Sequence, residues 1–267
     1  MKKSLTIATS DSGGCAGIQA DLKTFSALGV FGMSVIAAVT AQNTLEVKQI
    51  ATIPIDNIAM QIDAVFEDIG ADSVKIGMLF SKEIIDVVAK GLEKYEVKNL
   101  VVDPVMVAAT GALLLKTDAI NTMIKKLFPL ARVVTPNLHE AEALSGIKIL
   151  NYKDKVEACK IISRRGAQTV ILKGGHGSGA ESVDLWYNGK SVYEFSAPRV
   201  DTENVHGTGC TFSAAITAYL AHGCTLDESI RKAKIYITNA ILKGKDLRIG
   251  RGSGPVNHFW NISDELR

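Results

Sequence analysis

The sequence predicts a three-layer α/β/α sandwich with a mostly parallel central sheet. Three observations carry that expectation. Short apolar runs alternate with longer amphipathic segments along most of the chain. The runs are continuously apolar, the mark of strands covered on both faces. The chain has 267 residues, 47% of them hydrophobic and 22% charged, enough to bury a full core.

The elements follow in order. Leu5 to Thr9 reads as a strand and Gly17 to Leu28 as a helix. Met33 to Thr40 is a β-branched buried run. Between Ile55 and Ile69, apolar residues at positions 55, 58, 59, 62, 65 and 66 recur at helical spacing. Ser73 to Ile76 is a short strand, and Ser81 to Lys94 a helix. Leu100 to Val102, Val133-Val134 and Thr169 to Leu172 are three more buried strands, with helices between them. From Ser182 to Ala197, two β-rich runs flank Asn188-Gly189, a strong hairpin signal. Two long helices close the pattern, Gly207 to His222 and Leu226 to Lys243. With no repeat and no linker-like stretch, one domain over residues 1–267 is the simplest organisation.

Composition excludes several function classes. Lys plus Arg is 30 and Asp plus Glu is 28, a net charge of +2, which gives no basic footprint for nucleic acid. No apolar run reaches the roughly 18 residues of a membrane span, and no signal-peptide core follows the N-terminus. Cys15, Cys159, Cys210 and Cys224 are scattered, with neither zinc-ligand nor redox spacing. The expectation is a cytoplasmic protein with reduced thiols.

Four segments carry chemistry. Ser10 to Gly17, SDSGGCAG, lies between a strand and a helix. It is either a loop whose amides face an anion or a tight turn. It matches neither a Walker A loop nor a dinucleotide fingerprint. Val205 to Thr211, VHGTGCT, opens a long helix. The glycines around Thr208 let several N–H groups converge on one oxyanion, aided by the helix dipole. A cysteine in that first turn is expected to have a depressed pKa, making Cys210 a candidate base or nucleophile.

Asn137 and Glu140 stand three apart at a helix start. They form either a capping box or an oxygen pair suited to Mg²⁺. Asp103 in VVDPV adds a carboxylate to the same sheet edge, where ligands of open α/β sheets bind. Lys173 to Gly179, KGGHGSG, is either a phosphate-serving lid or a solvated loop.

Together the segments GGCAGIQADLKTFSALG, AQNT, VKIGML, VVDPVM, TPNLHEAEAL, LKGGH, SAPR…HGTGC and GSGPV-N-HF resemble the hydroxymethylpyrimidine/phosphomethylpyrimidine kinases of thiamine biosynthesis, members of the ribokinase-like kinases. The motifs run in order from Ile7 to Phe259. The resemblance implies a ribokinase-like sandwich, often a homodimer. It implies ATP-Mg²⁺-dependent phosphorylation of the pyrimidine hydroxymethyl group and then of the resulting ester. It places Gly207, Thr208, Gly209 and Cys210 at an anion hole, with Cys210 where many relatives carry an Asp base. Asn137, Lys173 and Thr208 would serve the nucleotide, and Glu140 and Asp103 the metal. Ala16, Gln42 and Met78 would line the pyrimidine.

Gln42 suits that task, because its amide offers an acceptor beside a donor, matching an aminopyrimidine edge. Met78 either packs on the ring through its sulfur or simply fills the core. Asp21 reads as a helix-surface residue. Thr9 and Cys15 stand where the family commonly has glycine, which bears on pocket width. Pyridoxal kinase, within the same superfamily, and a non-catalytic nucleotide-binding protein are the competing readings.

Overall fold

The computed structural model describes residues 1–106, 117–175 and 179–262. Among them nine strands form one sheet in the order β3-β2-β1-β4-β5-β6-β7-β8-β9. The strands are β1 (Lys3–Asp11), β2 (Phe31–Gln42), β3 (Val47–Thr52), β4 (Ser73–Ile76), β5 (Leu100–Val102), β6 (Val133–Val134), β7 (Val170–Leu172), β8 (Glu181–Tyr187) and β9 (Val192–Pro198). From β2 to β7 all neighbours are parallel. The outer strands β3, β8 and β9 pair antiparallel.

The helices are α1 (Gly17–Ala27), α2 (Ile55–Ala64), α3 (Lys82–Lys94), α4 (Thr117–Lys126), α5 (Leu138–Ser145), α6 (Tyr152–Arg164), α7 (Thr208–Ala221) and α8 (Leu226–Gly244). Strand alternation assigns them to two faces. Leu100, Val102, Val134, Val170 and Leu172 point into one core, packed with residues of α2 to α6. Their neighbours Val101, Val133 and Ile171 point into the other, against α7 and α8. Phe25 and Val30 join α1 to Ala214, Ala218 and Ala221 of α7 on that second face. Each fully buried Leu, Ile or Val contributes about 1.5–3 kcal/mol. The expected three-layer sandwich with a mostly parallel sheet is the fold observed.

Several boundaries differ. The expected helix over 55–69 is α2 followed by a π turn, Val65–Ile69, closed by the Gly70 N–H on the Val65 carbonyl. Strand β3 gave no apolar signal, because VKQIAT lies on an edge with most side chains exposed. Asn43 turns the chain into it, its side chain accepting from the Leu45 and Glu46 amides.

Under α1 and α7 the sheet face is polar. Ser4, Thr6, Ser73 and Lys75, all buried, point there from β1 and β4. Ser4 and Ser73 hydroxyls pair at 2.9 Å, and Ser73 donates to the Thr217 carbonyl of α7. This seam lies beside the site.

Candidate active site

The carboxyl ends of β1, β4, β5, β6 and β7 deliver Asp11, Met78, Asp103, Thr135 and Lys173 to one edge of the sheet. Beyond β1 the chain turns outward to β2, whereas β4 lies on the other side of β1, so the strand order reverses there. The two ends are stitched together by Gly77, whose N–H donates to the Ile7 carbonyl, and by Thr9, whose hydroxyl donates to the Met78 carbonyl at 3.0 Å.

In the SDSGGCAG segment an anion of the chain itself takes the amides. Asp11 Oδ1 accepts from Gly13 N at 2.8 Å, and Oδ2 from Cys15 N and Ala16 N at 2.9 and 2.8 Å. The loop is a strand-to-helix turn wound on Asp11. Cys15 is buried, and burial, reinforced by the Asp11 charge, raises its thiol pKa. A Cβ on Gly17 would overlap the Thr9 carbonyl, and one on Gly207 would overlap the Cys15 carbonyl. Both glycines have positive φ, +55° and +80°. The starts of α1 and α7 therefore meet backbone to backbone.

Gln42 ends β2 at this junction. Its amide faces Thr40 Oγ1 at 3.2 Å and His206 Nε2 at 3.1 Å. Its main-chain N–H donates to Ser12 Oγ. Met78 is buried, 8% exposed.

A second cluster lies at the ends of β5 to β7. Asp103 is fully buried and accepts from Lys173 Nζ at 2.7 Å, Ser213 Oγ at 3.1 Å and Thr135 Oγ1 at 3.3 Å. Burial would raise its pKa, but the Lys173 and Lys75 ammonium groups outweigh that and hold it below the usual range. Glu140 Oε2 lies 3.9 Å from Lys173 Nζ on the other side. Burial, reinforced by Asp103, pushes the Glu140 pKa up to about 7 against the pull of Lys173. Asn137 and Glu140 form a reciprocal capping box, Asn137 Oδ1 accepting from Glu140 N at 2.9 Å and Glu140 Oε2 from Asn137 N at 2.7 Å.

Among the described residues no group of three or more His, Cys, Asp or Glu gathers for a metal. Asp103 and Glu140 are nonetheless hard oxygen donors, and Mg²⁺ commonly takes one or two carboxylates with phosphate and water completing its shell. A buried Glu140 pushed toward neutrality is also a group that a nearby divalent cation would return to its charged form. The donor set fits such an ion.

Helix α7 starts between these two clusters. Gly207 is its N-cap, and the Thr208 hydroxyl and amide both donate to the Val205 carbonyl. A Cβ on Gly209 would lie 3.2 Å from Lys173 Nζ and 3.9 Å from Asp103 Oδ2, so the Lys173–Asp103 pair abuts the helix N-terminus. First-turn N–H groups have no intrahelical acceptor, and the helix dipole adds positive charge there.

Cys210 departs from expectation. Burial pushes its thiol up to about 11, against the Lys75 ammonium that pulls it down, so the resting group is a neutral thiol rather than a thiolate. The helix start is outweighed by loss of water. Asp21 is also corrected: it lies fully buried on the α1 face toward the sheet. It bonds Lys75 Nζ at 2.8 and 2.9 Å and accepts from Thr6 at 2.6 Å. Its place on the inner side of α1 follows from Ile18 and Phe25, which are buried on the same helix. The Cβ position of Gly77 is 3.1 Å from that ammonium.

The loop after β7 has its own anchors, which sequence reasoning missed. Arg199, the last residue of SAPR, donates to the carbonyls of Gly174, Gly175, Gly179 and Glu181. Asp184 accepts from Gly174 N at 2.6 Å and from Lys234 Nζ at 2.8 Å. A lone Arg directly after a hairpin, next to a glycine-rich loop, was the available signal. Of the expected lid, residues 176–178 lie outside the described residues.

The family model for phosphomethylpyrimidine kinase matches residues 11–257. A hydroxymethylpyrimidine/phosphomethylpyrimidine kinase of Rhizobium meliloti is 50% identical over 256 residues, 96% of each chain. The bifunctional thiamine biosynthesis protein ThiED of Geobacter sulfurreducens is 50% identical across 97% of this chain, which spans 53% of that longer protein. The pyridoxal kinase of Staphylococcus aureus, solved with AMP-PCP and pyridoxal, superposes with a TM-score of 0.90. It is 39% identical over 99% of this chain and 96% of that one. A family match over residues 11–257, together with half-identity to kinases of one kind, leaves no doubt about kinship: the chain is a kinase of ribokinase-like fold and belongs to the phosphomethylpyrimidine kinase family.

Proposed function

We propose that the protein transfers phosphoryl groups from ATP to the hydroxymethyl group of 4-amino-5-hydroxymethyl-2-methylpyrimidine and then to the monophosphate formed. The observation that carries this reading is the junction at α7. An ammonium, two carboxylates and a helix N-terminus converge there, and Gln42 presents a planar amide close by. Phosphoryl transfer is chiefly a problem of positioning and charge. The amides of Gly207, Gly209 and Cys210 supply fixed positive ends toward the transferring group, while the Thr208 amide and hydroxyl tie the helix start to Val205. Lys173 serves the nucleotide phosphates, with Asn137 and Thr208 beside it. Asp103 and Glu140 would hold Mg²⁺, which would neutralise phosphate charge there.

At the acceptor side, Gln42 pairs with the aminopyrimidine edge and Ala16 and Met78 pack against the ring. Cys210 acts as the base in its thiolate form. Its thiol, pushed up to about 11, is protonated at rest and first releases its own proton to water; the Lys75 ammonium supports the thiolate, which then takes the hydroxymethyl proton. The monophosphate needs no such base, because its oxygens are already anionic.

The chain works as one domain, supported by the single continuous sheet. We read it as a cytoplasmic homodimer, four free cysteines fitting a reducing compartment. No described helix is long and apolar enough to cross a membrane. Pyridoxal kinase activity is the second reading, favoured by the close match to the pyridoxal-bound Staphylococcus aureus fold. A coupled assay of ADP release across hydroxymethylpyrimidine, its phosphate, pyridoxal and pyridoxine decides. Turnover of pyridoxal or pyridoxine alone would overturn the main reading.

A further inference from the structure

We propose that His206 is the specificity-determining residue of the acceptor site: it sets which end of the Gln42 amide is donor and which is acceptor toward the ring. The inference rests on the pyrimidine-kinase reading of this site. His206 belongs to no role assigned above. It is 3% exposed, and its main-chain N–H donates to the Gly254 carbonyl, so the ring is held from two chain segments.

Donor and acceptor roles fix the network. Thr40 Oγ1 lies 3.0 Å from the Ser10 carbonyl and 3.2 Å from Gln42 Oε1. Both of those oxygens only accept, so the Thr40 hydroxyl is the donor to the carbonyl end of the Gln42 amide. The –NH₂ end is thereby turned toward His206.

The imidazole complements this. The Gln42 –NH₂ can only donate, so His206 Nε2, 3.1 Å from Gln42 Nε2, accepts with its lone pair. The ring proton then sits on the buried Nδ1, where the Ser253 main chain favours it. The bonds then run one way, from Thr40 through Gln42 to His206. What remains for a ligand is one N–H and one lone pair of Gln42, in fixed positions.

The ring cannot turn over to suit a reversed amide, because its hydroxymethyl group must point at the start of α7. An aminopyrimidine edge, a donor beside an acceptor, matches only one amide orientation. A pyridine ring with a phenolic oxygen presents a different pair. His206 thus selects between the two through Gln42, as a positioning residue that touches no substrate atom.

The test compares wild type with H206F, H206Q and T40V, measuring kcat and KM for hydroxymethylpyrimidine and pyridoxal, with melting temperatures. H206F removes the acceptor and should raise the pyrimidine KM about tenfold with little change in kcat. Pyridoxal should lose much less, so the ratio of the two kcat/KM values falls. H206Q returns an amide oxygen near the Nε2 position and should restore much of the preference. T40V releases the other end of the amide and should raise the pyrimidine KM selectively too, which keeps the test available if H206F does not fold. Equal losses on both substrates, or an unchanged ratio in every folded variant, would overturn the proposal. A wild type active on pyridoxal alone would instead overturn the substrate reading on which it rests.

Discussion

The Lys75 ammonium meets the Asp21 carboxylate at 2.8 Å with both side chains fully shielded from water. The pair joins β4 to α1 directly beneath the site. Lys75 is a cation beside Cys210 and Asp103, and Asp21 offsets the cost of burying it. Burial alone would strip the Lys75 proton, and the Asp21 charge reverses that and holds the amine firmly protonated.

The first prediction concerns this pair. Lys75→Met should destabilise the fold by about 3–5 kcal/mol, because Asp21 is left as an uncompensated buried charge. Lys75→Met with Asp21→Leu should recover much of the loss. Denaturant unfolding of the three chains measures it. A double variant no more stable than the single one would mean that the pair is not what the Lys contributes.

A second prediction addresses substrate reading. Gln42→Leu keeps approximate size and removes both pairing atoms. The pyrimidine KM should rise roughly ten- to hundredfold, the worth of about 1–3 kcal/mol for a polar edge left unpaired. An unchanged KM would exclude Gln42 from ring recognition.

The two roles of Glu140, cap and metal ligand, separate in Glu140→Gln. A Gln oxygen still accepts from Asn137 N, so the capping box and the melting temperature should survive. The Mg²⁺ concentration for half-maximal rate should rise about tenfold or more, and kcat should fall. Normal turnover at limiting Mg²⁺ with a clearly lowered melting temperature would leave only the cap.

Cys210→Ala tests the base and carries a pH signature. The step onto the neutral alcohol should fall about 10²–10⁴-fold, and the step onto the anionic monophosphate much less. The thiol of the free protein ionises near 11, above its ordinary value, so the active base form grows as pH rises toward that value. Wild-type rates on the alcohol should therefore climb with pH through the alkaline range, and the variant should lose that climb. Equal losses in both steps would make Cys210 a packing residue of the anion hole.

The sequence by itself determined the layers of this protein and the family to which it belongs. Runs such as Ser73 to Ile76, Leu100 to Val102 and Val133-Val134 appear as strands at the residues expected, because short β-branched runs between amphipathic helices have one economical arrangement. Asp103, Asn137 and Glu140 were legible as a group, since residues at the ends of parallel strands share an edge whatever the loops do, and the fold adds Lys173 to them. Only the tertiary structure decided the charge states. Whether Cys210 is a thiol or a thiolate, and whether Asp21 faces water or Lys75, depends on what other segments bring within a few ångströms. Desolvation and Coulomb terms are set by three-dimensional neighbours, which a linear pattern does not contain. The same holds for Asp11, whose carboxylate fills the loop that the glycines alone left open to a ligand. It holds too for His206 and Gln42, 164 positions apart in the chain, which meet only because α7 starts where β2 ends.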